Sequence, residues 1–390
     1  MRIAFDARPL IGPRTGVGVW LEGLMRGLAA ATNWRFVLCL PRQVANLGLN
    51  DLTDRCEVLA PPFPLPGTLW LHTIASPLLA GRADVFVATL GVLPRRVPVP
   101  SVLVVHDVTP RTRPGAHTLA NRFCFNAYHE ESLARADVIV CVSEATRTAV
   151  GHLQPRAGRR ALVIGEGVDP LFSPAGEGET GEDVRRTFAD GRKFIVQLGT
   201  VEPRKGVATL LAAHASLLAG RAGAPDLVLA GGRGWGGGWL GAALAHHPDA
   251  SRVHLPGYVS RTDARDLLRY AEIVVLASEE EGFGLPLAEA LACGAACVTT
   301  DAPALLEIAG GAARHVPRGD VPALTNALGV ALGPEVQSAL RAAARERAGA
   351  LTWKRPLAEW RELLVEAAHE QTETSGLRMP SDASARHRRP

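Results

Sequence analysis

The sequence is poor in lysine and carries little net charge. Of its 42 lysines and arginines only three are lysines, namely Lys193, Lys205 and Lys354. This bias, together with abundant Ala, Gly, Pro and Arg, is typical of a GC-rich genome, and it makes each lysine worth separate attention. A net charge of +3 with both signs interspersed argues against a nucleic-acid-binding protein, which would concentrate its basic residues.

The sequence also lacks a long uncharged apolar run and a cysteine framework. Its most apolar stretch, residues 65–93, is interrupted by prolines and by Arg82 and Asp84, so it falls short of the ~18 residues of a membrane span. The chain opens as a strand rather than as the apolar core of a signal peptide. The six cysteines include no C-x-x-C pair, which argues against a zinc or disulfide framework. We therefore expect a cytoplasmic protein, and contact with the inner face of a membrane stays open.

Short apolar runs alternate with helical patterns along most of the chain. Runs with little internal alternation, such as residues 194–198 and 273–276, suit parallel strands that are covered on both faces. A length of 390 residues suggests two domains, since single domains usually have ~100–200 residues. We predict an α/β fold in which two doubly wound, Rossmann-like domains face each other across a cleft.

The predicted elements form two sets of similar size. The predicted strands are residues 2–5, 36–40, 85–88, 102–105, 138–142 and 161–164 in the first set, and 194–198, 227–230, 252–255, 273–276 and 296–299 in the second. The predicted helices include residues 16–30, 207–218, 261–270, 287–293, 304–308 and 356–369.

We place the domain boundary within residues 173–190, which carry acidic residues among Gly and Thr and no apolar period. The first domain is then residues 1–172 and the second is residues 173–355. A late helix follows, at residues 356–370. Residues 371–390 have no apolar period, and we expect them to be disordered.

The most informative segment, residues 273–300, reads as a strand, an acidic loop with glycines, and a helix. Glu281 lies in the loop at the mouth of the strand, and Glu289 lies near the start of the helix. An acid at that position gains ~0.3–1 kcal/mol from the helix dipole, so Glu289 alone has a structural explanation. Three consecutive glutamates beside a glycine-rich turn have none. Backbone N–H groups and carboxylates there would hold the oxygens and hydroxyls of a sugar or a phosphate.

The second informative segment, residues 194–211, contains Arg204 and Lys205 where a helix begins. Cations at a helix N-terminus oppose the helix dipole, so a stabilising surface role is poor. An anion held between the cations and the helix amides would resolve the conflict. In a chain with three lysines, this pair predicts a binding site for a diphosphate.

Two further segments are weaker indications. His106 follows a predicted buried strand and should point into the crevice of the first domain, although a histidine that merely ends a strand is common. Residues 15–18 form a glycine-rich turn between a strand and a helix. This turn fails as a dinucleotide fingerprint because Leu21 stands where the third glycine should be. Gly16 and Gly18 would still let a substrate approach the backbone.

Taken together, these segments resemble the GT-B type of retaining glycosyltransferases, specifically family GT4 (glycosyltransferase group 1). The resemblance covers residues 2–360, and the motifs together resemble those of bacterial mannosyl- or rhamnosyltransferases of polysaccharide assembly. Its most specific parts are E-x7-E, from Glu281 to Glu289, and EPRKG at 202–206. It is supported by HD at 106–107 and by residues 167–174 and 257–272. The resemblance implies that the late helix crosses back onto the first domain.

The resemblance implies a role for each matching residue. Arg204 and Lys205 would neutralise the diphosphate of a nucleotide-sugar donor, and Glu289 would bind its ribose hydroxyls. Glu281 would hold the transferred sugar, which His106 would contact near the anomeric centre. The predicted catalytic set is therefore His106, Arg204, Lys205 and Glu281. The remaining expected donor contacts are Gly16, Gly18, Val259, Gly282, Phe283, Gly284 and Leu285.

The sequence departs from the family pattern at two positions. Many relatives have Arg where this chain has Thr200, and they often have Asn where this chain has Glu166. Positive charge near the phosphates then rests on Arg204 and Lys205. The chain also contains no Asp-x-Asp, so we expect no metal or other cofactor, with basic side chains and a helix N-terminus stabilising the leaving group. Front-side attack with retention of configuration is what the resemblance implies for the reaction.

The reaction itself has alternatives. A nucleotide-sugar epimerase of the GT-B type would use the same cleft, and a non-catalytic subunit would bind a nucleotide sugar without transferring it. A phosphorylase with pyridoxal phosphate would need a Schiff-base lysine, but Arg204 beside Lys205 suits phosphate better.

The donor, the acceptor and the oligomeric state stay open at this point. The resemblance makes GDP-mannose the first candidate for the donor. The prolines and apolar residues at 61–79, with arginines nearby, suit a lipid-linked saccharide at a membrane surface as well as they suit a mobile loop. The arginines in question are Arg95, Arg96, Arg111 and Arg113.

Overall fold

The structure is a computed structural model that describes residues 1–112, 128–232, 234 and 238–376. Within these residues the strands form one seven-stranded and one six-stranded sheet. The first sheet contains β1 (Arg2–Asp6), β2 (Arg35–Cys39), β3 (Cys56–Leu59), β4 (Val85–Ala88), β5 (Ser101–Val105), β6 (Val138–Cys141) and β7 (Leu162–Val163). The second contains β8 (Phe194–Leu198), β9 (Asp226–Ala230), β10 (Val253–Gly257), β11 (Ile273–Leu276), β12 (Cys297–Thr300) and β13 (Arg314–Val316).

Both sheets are parallel and doubly wound. The strand orders are β3-β2-β1-β4-β5-β6-β7 and β10-β9-β8-β11-β12-β13. The order therefore reverses beside β1 in the first sheet and beside β8 in the second, and ligands of such sheets bind at the carboxyl ends of the strands where the order reverses. The predicted α/β fold with two Rossmann-like sheets is confirmed.

Helices separate the strands along the chain. In the first half they are α1 (Gly16–Ala31), α2 (Gly67–Trp70), α3 (Ser76–Leu78), α4 (Thr109–Thr112), α5 (described over residues 128–135), α6 (Glu144–Leu153) and α7 (Pro155–Arg160). In the second half they are α8 (Glu182–Phe188), α9 (Val207–Gly220), α10 (Gly238–Ala245), α11 (Arg261–Tyr270), α12 (Leu285–Ala292), α13 (Pro303–Ala309), α14 (Val321–Ala331), α15 (Pro334–Ala348) and α16 (Lys354–Gly376).

The central strands are buried on both faces, which explains why their sequences show little alternation. Every residue of β4, β8 and β11 is buried. Two strands were absent from the sequence prediction, β3 and β13. Both lie at the edge of a sheet and are partly exposed, so they lack the continuous apolar run that marks the central strands.

The last helix packs against the first sheet's helices. Trp360 of α16 is fully buried, and its ring centroid lies 5.9 Å from that of Trp20 in α1. α16 ends at Gly376. The disordered tail expected from residue 371 stays a prediction. Residues 377–390 lie outside the described part of the chain. The domain limits at 172 and 355 stay a prediction; the first falls between β7 and β8, in the segment that leads to α8.

Candidate active site

The two charged motifs of the second sheet meet because β8 and β11 are neighbouring strands. The loop after β8 carries Arg204 and Lys205 in a 3-10 turn, and α9 follows it. Gly206 joins the turn to the helix with a left-handed φ of 64°, and a Cβ atom there would lie 1.9 Å from the carbonyl oxygen of Ala277. Only glycine allows this approach. The turn is thereby held against the loop that carries Glu281.

Lys205 and Glu281 form a buried ion pair. The Nζ atom of Lys205 donates to both carboxylate oxygens of Glu281, at 2.6 and 2.8 Å, and Ser278 Oγ donates to Oε1 at 2.7 Å. The side chains are 13% and 8% exposed. Burial lowers the pKa of Lys205. Burial alone would raise the pKa of Glu281, but Lys205 and Arg204 outweigh it and hold that pKa below its ordinary value. The carboxylate is therefore held charged by its cations.

Arg204 joins the same cluster. Its Nε lies 2.7 Å from Glu202 Oε1, and its Nη1 lies 3.7 Å from Glu281 Oε2. Burial opposes the charge of this guanidinium, but Glu281 and Glu202 prevail and raise its pKa. The conflict between two cations and the N-terminus of α9 is thus resolved by two carboxylates, Glu202 of the same loop and Glu281 of the loop after β11. The sequence alone predicts an external anion in that place.

The loop after Glu281 reaches the first sheet. A Cβ atom on Gly282 would lie 1.7 Å from the carbonyl oxygen of His106, so a side chain there would force the two loops apart. The carbonyl oxygen of Gly282 accepts hydrogen bonds from Ser143 Oγ at 2.5 Å and from Thr146 Oγ1 at 2.9 Å. The ring of Phe283 packs on Gly165, and a Cβ atom added to Gly165 would lie 3.5 Å from Cε2 of that ring. The loop bridges the carboxyl ends of the two sheets.

A second bridge joins α13 to α6. The two carboxylate oxygens of Glu307 accept hydrogen bonds from the backbone N–H groups of Glu144 and Ala145, at 3.0 and 3.1 Å. A carboxylate at this position satisfies unpaired helix amides and complements the helix dipole. The contact holds the two halves of the chain together at the edge of the cleft.

Glu289 lies deeper in the cleft and is 8% exposed. Burial raises its pKa to about 8; Arg261, whose Nη1 lies 3.9 Å away, lowers it, whereas Asp169 and Glu166 add to the rise. Arg261 is paired with Asp169 at 3.0 Å, which explains why it relieves Glu289 only in part. Glu289 is the fifth residue of α12, so it lies beyond the first turn of the helix. The sequence alone predicts a position within the first turn. The helix dipole therefore does little for this carboxyl group.

His106 lies at the end of β5, on the opposite side of the cleft. Its Nδ1 atom lies 3.2 Å from Glu166 Oε1, and its ring packs edge-on against Trp20 with centroids 4.7 Å apart. Gly282 contacts its backbone, as described above. The predicted sites His106 and Glu281 thus belong to one cleft, His106 from the first sheet and Glu281 from the second.

The other predicted donor contacts occupy more peripheral positions. Gly16 is the exposed first residue of α1, where a Cβ atom would meet nothing within 4 Å. Gly18 is buried, and its Cβ atom would lie 2.5 Å from the carbonyl oxygen of Pro9, so this glycine serves the packing of α1. Val259 lies half-buried in the loop between β10 and α11. Leu285 lines a small pocket together with Glu289.

Several site residues were not found by sequence reasoning. Arg261 lies beside Glu289 and pairs with Asp169. Both residues lie in segments, 257–272 and 167–174, that support the family resemblance but did not indicate a site. Ser143 gave a detectable pattern, since Ser-Glu after a strand is a typical helix start, and its hydroxyl does accept from Thr146 N. Nothing in the sequence indicated that the same hydroxyl would also bind Gly282.

Two negative findings apply to the described residues. Across residues 1–112, 128–232, 234 and 238–376, no group of three or more His, Cys, Asp or Glu side chains is arranged to hold a metal ion. Over the same part of the chain, no helix combines the length and the apolar character that crossing a bilayer requires.

Comparison with known proteins agrees with this geometry. Residues 14–170 match the family model described as Glycosyltransferase Family 4, and residues 192–333 match the model described as Glycosyl transferases group 1. The chain is 26% identical over 341 residues to the O-antigen chain mannosyltransferase B of Escherichia coli, and the match covers 83% of this chain and 89% of that relative.

Solved structures with the same fold include two well-covered cases. Sucrose-phosphate synthase from Thermosynechococcus elongatus has a TM-score of 0.76 at 19% identity, covering 96% of this chain and 100% of that one. Anabaena HepE in complex with UDP-glucose has a TM-score of 0.71 at 19% identity, covering 96% and 99%. At these identities the likeness shows the fold alone, which is the GT-B fold.

The two sheets, with a charged cleft between them, have the GT-B fold, and the family models identify the chain as a glycosyltransferase. The two family models together match most of the chain, and they specify the glycosyltransferase family. The protein belongs to the glycosyltransferases of family 4, or group 1, and it is similar to mannosyltransferases of O-antigen biosynthesis.

Proposed function

We propose that the protein transfers a hexose, with mannose from GDP-mannose as the first candidate, to a saccharide or lipid-linked saccharide. Transfer would proceed with retention of configuration and without a metal. The observation that carries the proposal is the buried cluster of Arg204, Lys205 and Glu281 at the mouth of the cleft. Buried cations beside an unpaired helix start suit a diphosphate, and a carboxylate suits sugar hydroxyls.

Donor binding would exchange partners within this cluster. In the structure, Lys205 and Glu281 satisfy each other. A diphosphate placed beside Lys205 and Arg204 would attract both cations away from the carboxylate. Glu281 would then be free to accept hydrogen bonds from the hydroxyls of the transferred sugar. The ion pair thus keeps both side chains correctly placed until the donor replaces it, which is the preorganisation that transition-state stabilisation requires.

The leaving group needs positive charge, which the chain supplies itself. Charge develops on the diphosphate as the sugar–phosphate bond breaks, and Lys205, Arg204 and the amides at the start of α9 would stabilise it. The leaving phosphate oxygen would take the proton of the acceptor hydroxyl on the same face of the sugar. EDTA should therefore leave the rate unchanged, and strong inhibition that Mg²⁺ or Mn²⁺ reverses would contradict the metal-free mechanism.

GDP-mannose is supported by similarity rather than by a base-specific contact. The relative with the longest match is described as an O-antigen chain mannosyltransferase. The decisive experiment screens nucleotide sugars by thermal shift, since ligands that bind the native state raise its melting temperature. The stabilising donor is then incubated with saccharide acceptors, and NMR gives the anomeric configuration of the product. Release or epimerisation of the sugar without an acceptor would favour a GT-B epimerase instead.

A lipid-linked acceptor is supported by exposed apolar side chains on the first half of the chain. The exposed large apolar residues there include Val58, Phe63, Leu69, Leu78 and Leu90. Arg95 and Arg96 are exposed nearby in sequence, Arg111 pairs with Glu130, and Arg113 lies outside the described residues. Apolar and basic side chains together suit an anionic membrane surface.

The membrane contact is tested by co-sedimentation with phosphatidylglycerol vesicles. The double variant Phe63→Ser with Leu69→Ser should lose binding, whereas Leu162→Ser, at an exposed apolar position on β7, should retain it. Equal binding by all three proteins, or none by the unmodified protein, would contradict the proposal.

A further inference from the structure

His106 and Glu166 form a buried contact at the carboxyl end of the first sheet. His106 follows β5 and Glu166 follows β7, two strands that lie on either side of β6. The Nδ1 atom of His106 lies 3.2 Å from Oε1 of Glu166, and the two side chains are 12% and 5% exposed.

The backbone around Glu166 is held firmly in place. The following residue, Gly167, packs so closely on Trp353 that a Cβ atom would lie 2.4 Å from its ring. Val168 N donates to the carbonyl oxygen of Leu351 at 2.8 Å, which ties this segment to the chain just before α16. A carboxylate presented from such a fixed segment gives a defined hydrogen-bond direction.

The contact determines which ring nitrogen of His106 carries a proton. A carboxylate only accepts hydrogen bonds, so the Nδ1 atom that faces it is the protonated nitrogen. In the neutral ring, the Nε2 atom then carries the free lone pair. It is buried and has no hydrogen-bond partner among the described residues, and the Nε1 atom of the adjacent Trp20 is in the same condition. Two neighbouring buried polar groups without partners indicate a place where a ligand binds.

We propose that Glu166 is a positioning residue, which holds His106 with its proton on Nδ1 so that Nε2 accepts a hydrogen bond from a hydroxyl of the transferred sugar. The proposal rests on the proposed function, since it assumes that a nucleotide sugar occupies this cleft. It adds the residue that orients the histidine, and it explains why a buried Nε2 atom is left unpaired.

The first test measures the tautomer of His106 directly and needs no donor. Long-range ¹H–¹⁵N correlation spectra of histidine-labelled protein distinguish a ring protonated on Nδ1 from one protonated on Nε2, and His106→Gln identifies the resonance. The ring should be protonated on Nδ1 in the unmodified protein and should change to the Nε2–H form in Glu166→Ala. The same tautomer in both proteins would overturn the proposal.

The second test measures transfer. Glu166→Ala should lower kcat about ten- to hundredfold, the worth of a hydrogen bond to a charged group, with little change in the KM for the donor. Glu166→Gln should recover most of the loss, because its amide oxygen still accepts from Nδ1–H. Glu177→Gln, at an exposed position of the same segment between β7 and α8, is the matched control and should behave like the unmodified protein.

A double-mutant cycle separates positioning from packing. If Glu166 acts through His106, then Glu166→Ala should cost nothing further in a His106→Ala background. An equal loss in both backgrounds would show that Glu166 only stabilises the cleft, and it would overturn the proposal. Failure to find any donor would instead contradict the proposed function, while the tautomer measurement would still decide whether Glu166 positions His106.

Discussion

The two sides of the cleft are built in different ways. The second sheet contributes a dense, buried cluster in which Lys205 and Arg204 pair with Glu281. The first sheet contributes a single histidine, oriented by Glu166 and covered by Trp20. A diphosphate needs strong, fixed charge, whereas a sugar needs a few directed hydrogen bonds. From this difference we infer, on the function proposed above, that the nucleotide binds to the second sheet and that the sugar reacts at the junction between the two sheets.

The largest expected effect comes from removing the charge on the second side. Lys205→Met should lower transfer about a hundred- to a thousandfold, the usual cost of losing one preorganised electrostatic group. It should also destabilise the protein by about 3–5 kcal/mol, because Glu281 is left buried without its partner. Kinetics and chemical denaturation measure the two effects.

The ion pair of Lys205 and Glu281 can be removed without leaving a buried charge unpaired. The double variant Lys205→Met with Glu281→Gln leaves no unpaired charge, so it should fold better than the single variant and remain inactive. Lys193→Met is the matched control, since this lysine is 70% exposed at the start of β8. A double variant that transfers sugar normally would remove the second side from the mechanism.

Breaking the contact between the two sides should have the next largest effect. In Gly282→Ala the new Cβ atom would lie 1.7 Å from the carbonyl oxygen of His106, so one loop must move. A displacement of ~1 Å in a catalytic site costs about a hundredfold in rate. Transfer should fall by that order, with GDP binding less affected because the phosphate side is intact.

The control for this variant is Gly220→Ala. It lies at the end of α9, where a Cβ atom meets nothing within 4 Å. Normal activity in Gly282→Ala would show that transfer does not depend on the close approach of the two loops.

The deep carboxyl group of Glu289 should give a pH-dependent effect on stability. Its pKa is about 8 in the folded protein against 4.5 as the ordinary value. As pH rises from 4.5 to about 8, the unfolded chain releases a proton that the folded protein keeps, so this group lowers stability progressively across that window. Glu289→Gln removes the penalty, and its melting temperature should exceed that of the unmodified protein by a few degrees above pH 8 and by less near pH 5.

This prediction concerns the ligand-free protein. The same variant should bind the donor more weakly if Glu289 holds the ribose. A difference in melting temperature that does not change with pH would contradict the burial argument.

The smallest effect is expected at the second bridge. Glu307→Gln keeps an acceptor for the amides of α6 but loses the charge, which is worth about 0.3–1 kcal/mol at a helix N-terminus. The melting temperature should fall slightly and transfer should change less than threefold. Glu346→Gln, an exposed acid on α15, should show no shift. A large loss of activity in Glu307→Gln would contradict this expectation, and it would show that transfer depends on the contact between α13 and α6.

The sequence predicted the fold because the central strands are short, apolar and separated by clear helical patterns. It predicted the residues of the charged cleft because each motif is contiguous, as in residues 202–206 and 281–289. It did not predict their pairing. Lys205 and Glu281 are 76 residues apart, His106 and Glu166 are 60 apart, and Arg261 and Asp169 are 92 apart. Which loops meet depends on strand order and on close glycine contacts, neither of which is visible in the local pattern.

The same limit explains the interpretation of the cations. From sequence, Arg204 and Lys205 at a helix start required an external anion. In the folded protein, Glu202 and Glu281 already satisfy them. Because the sequence does not show which side chains meet in the fold, it overstates the need for a ligand beside these cations. The buried pair of Lys205 and Glu281 remains suited to exchange partners with a bound diphosphate.

The division of the cleft is tested most directly by isothermal titration calorimetry with GDP. The unmodified protein and His106→Ala should bind GDP with similar affinity, because the histidine serves the sugar and not the diphosphate. The variant Lys205→Met with Glu281→Gln should lose at least a hundredfold in affinity. Loss of GDP binding in His106→Ala, or normal binding in the double variant, would contradict the assignment of the nucleotide diphosphate to the second sheet.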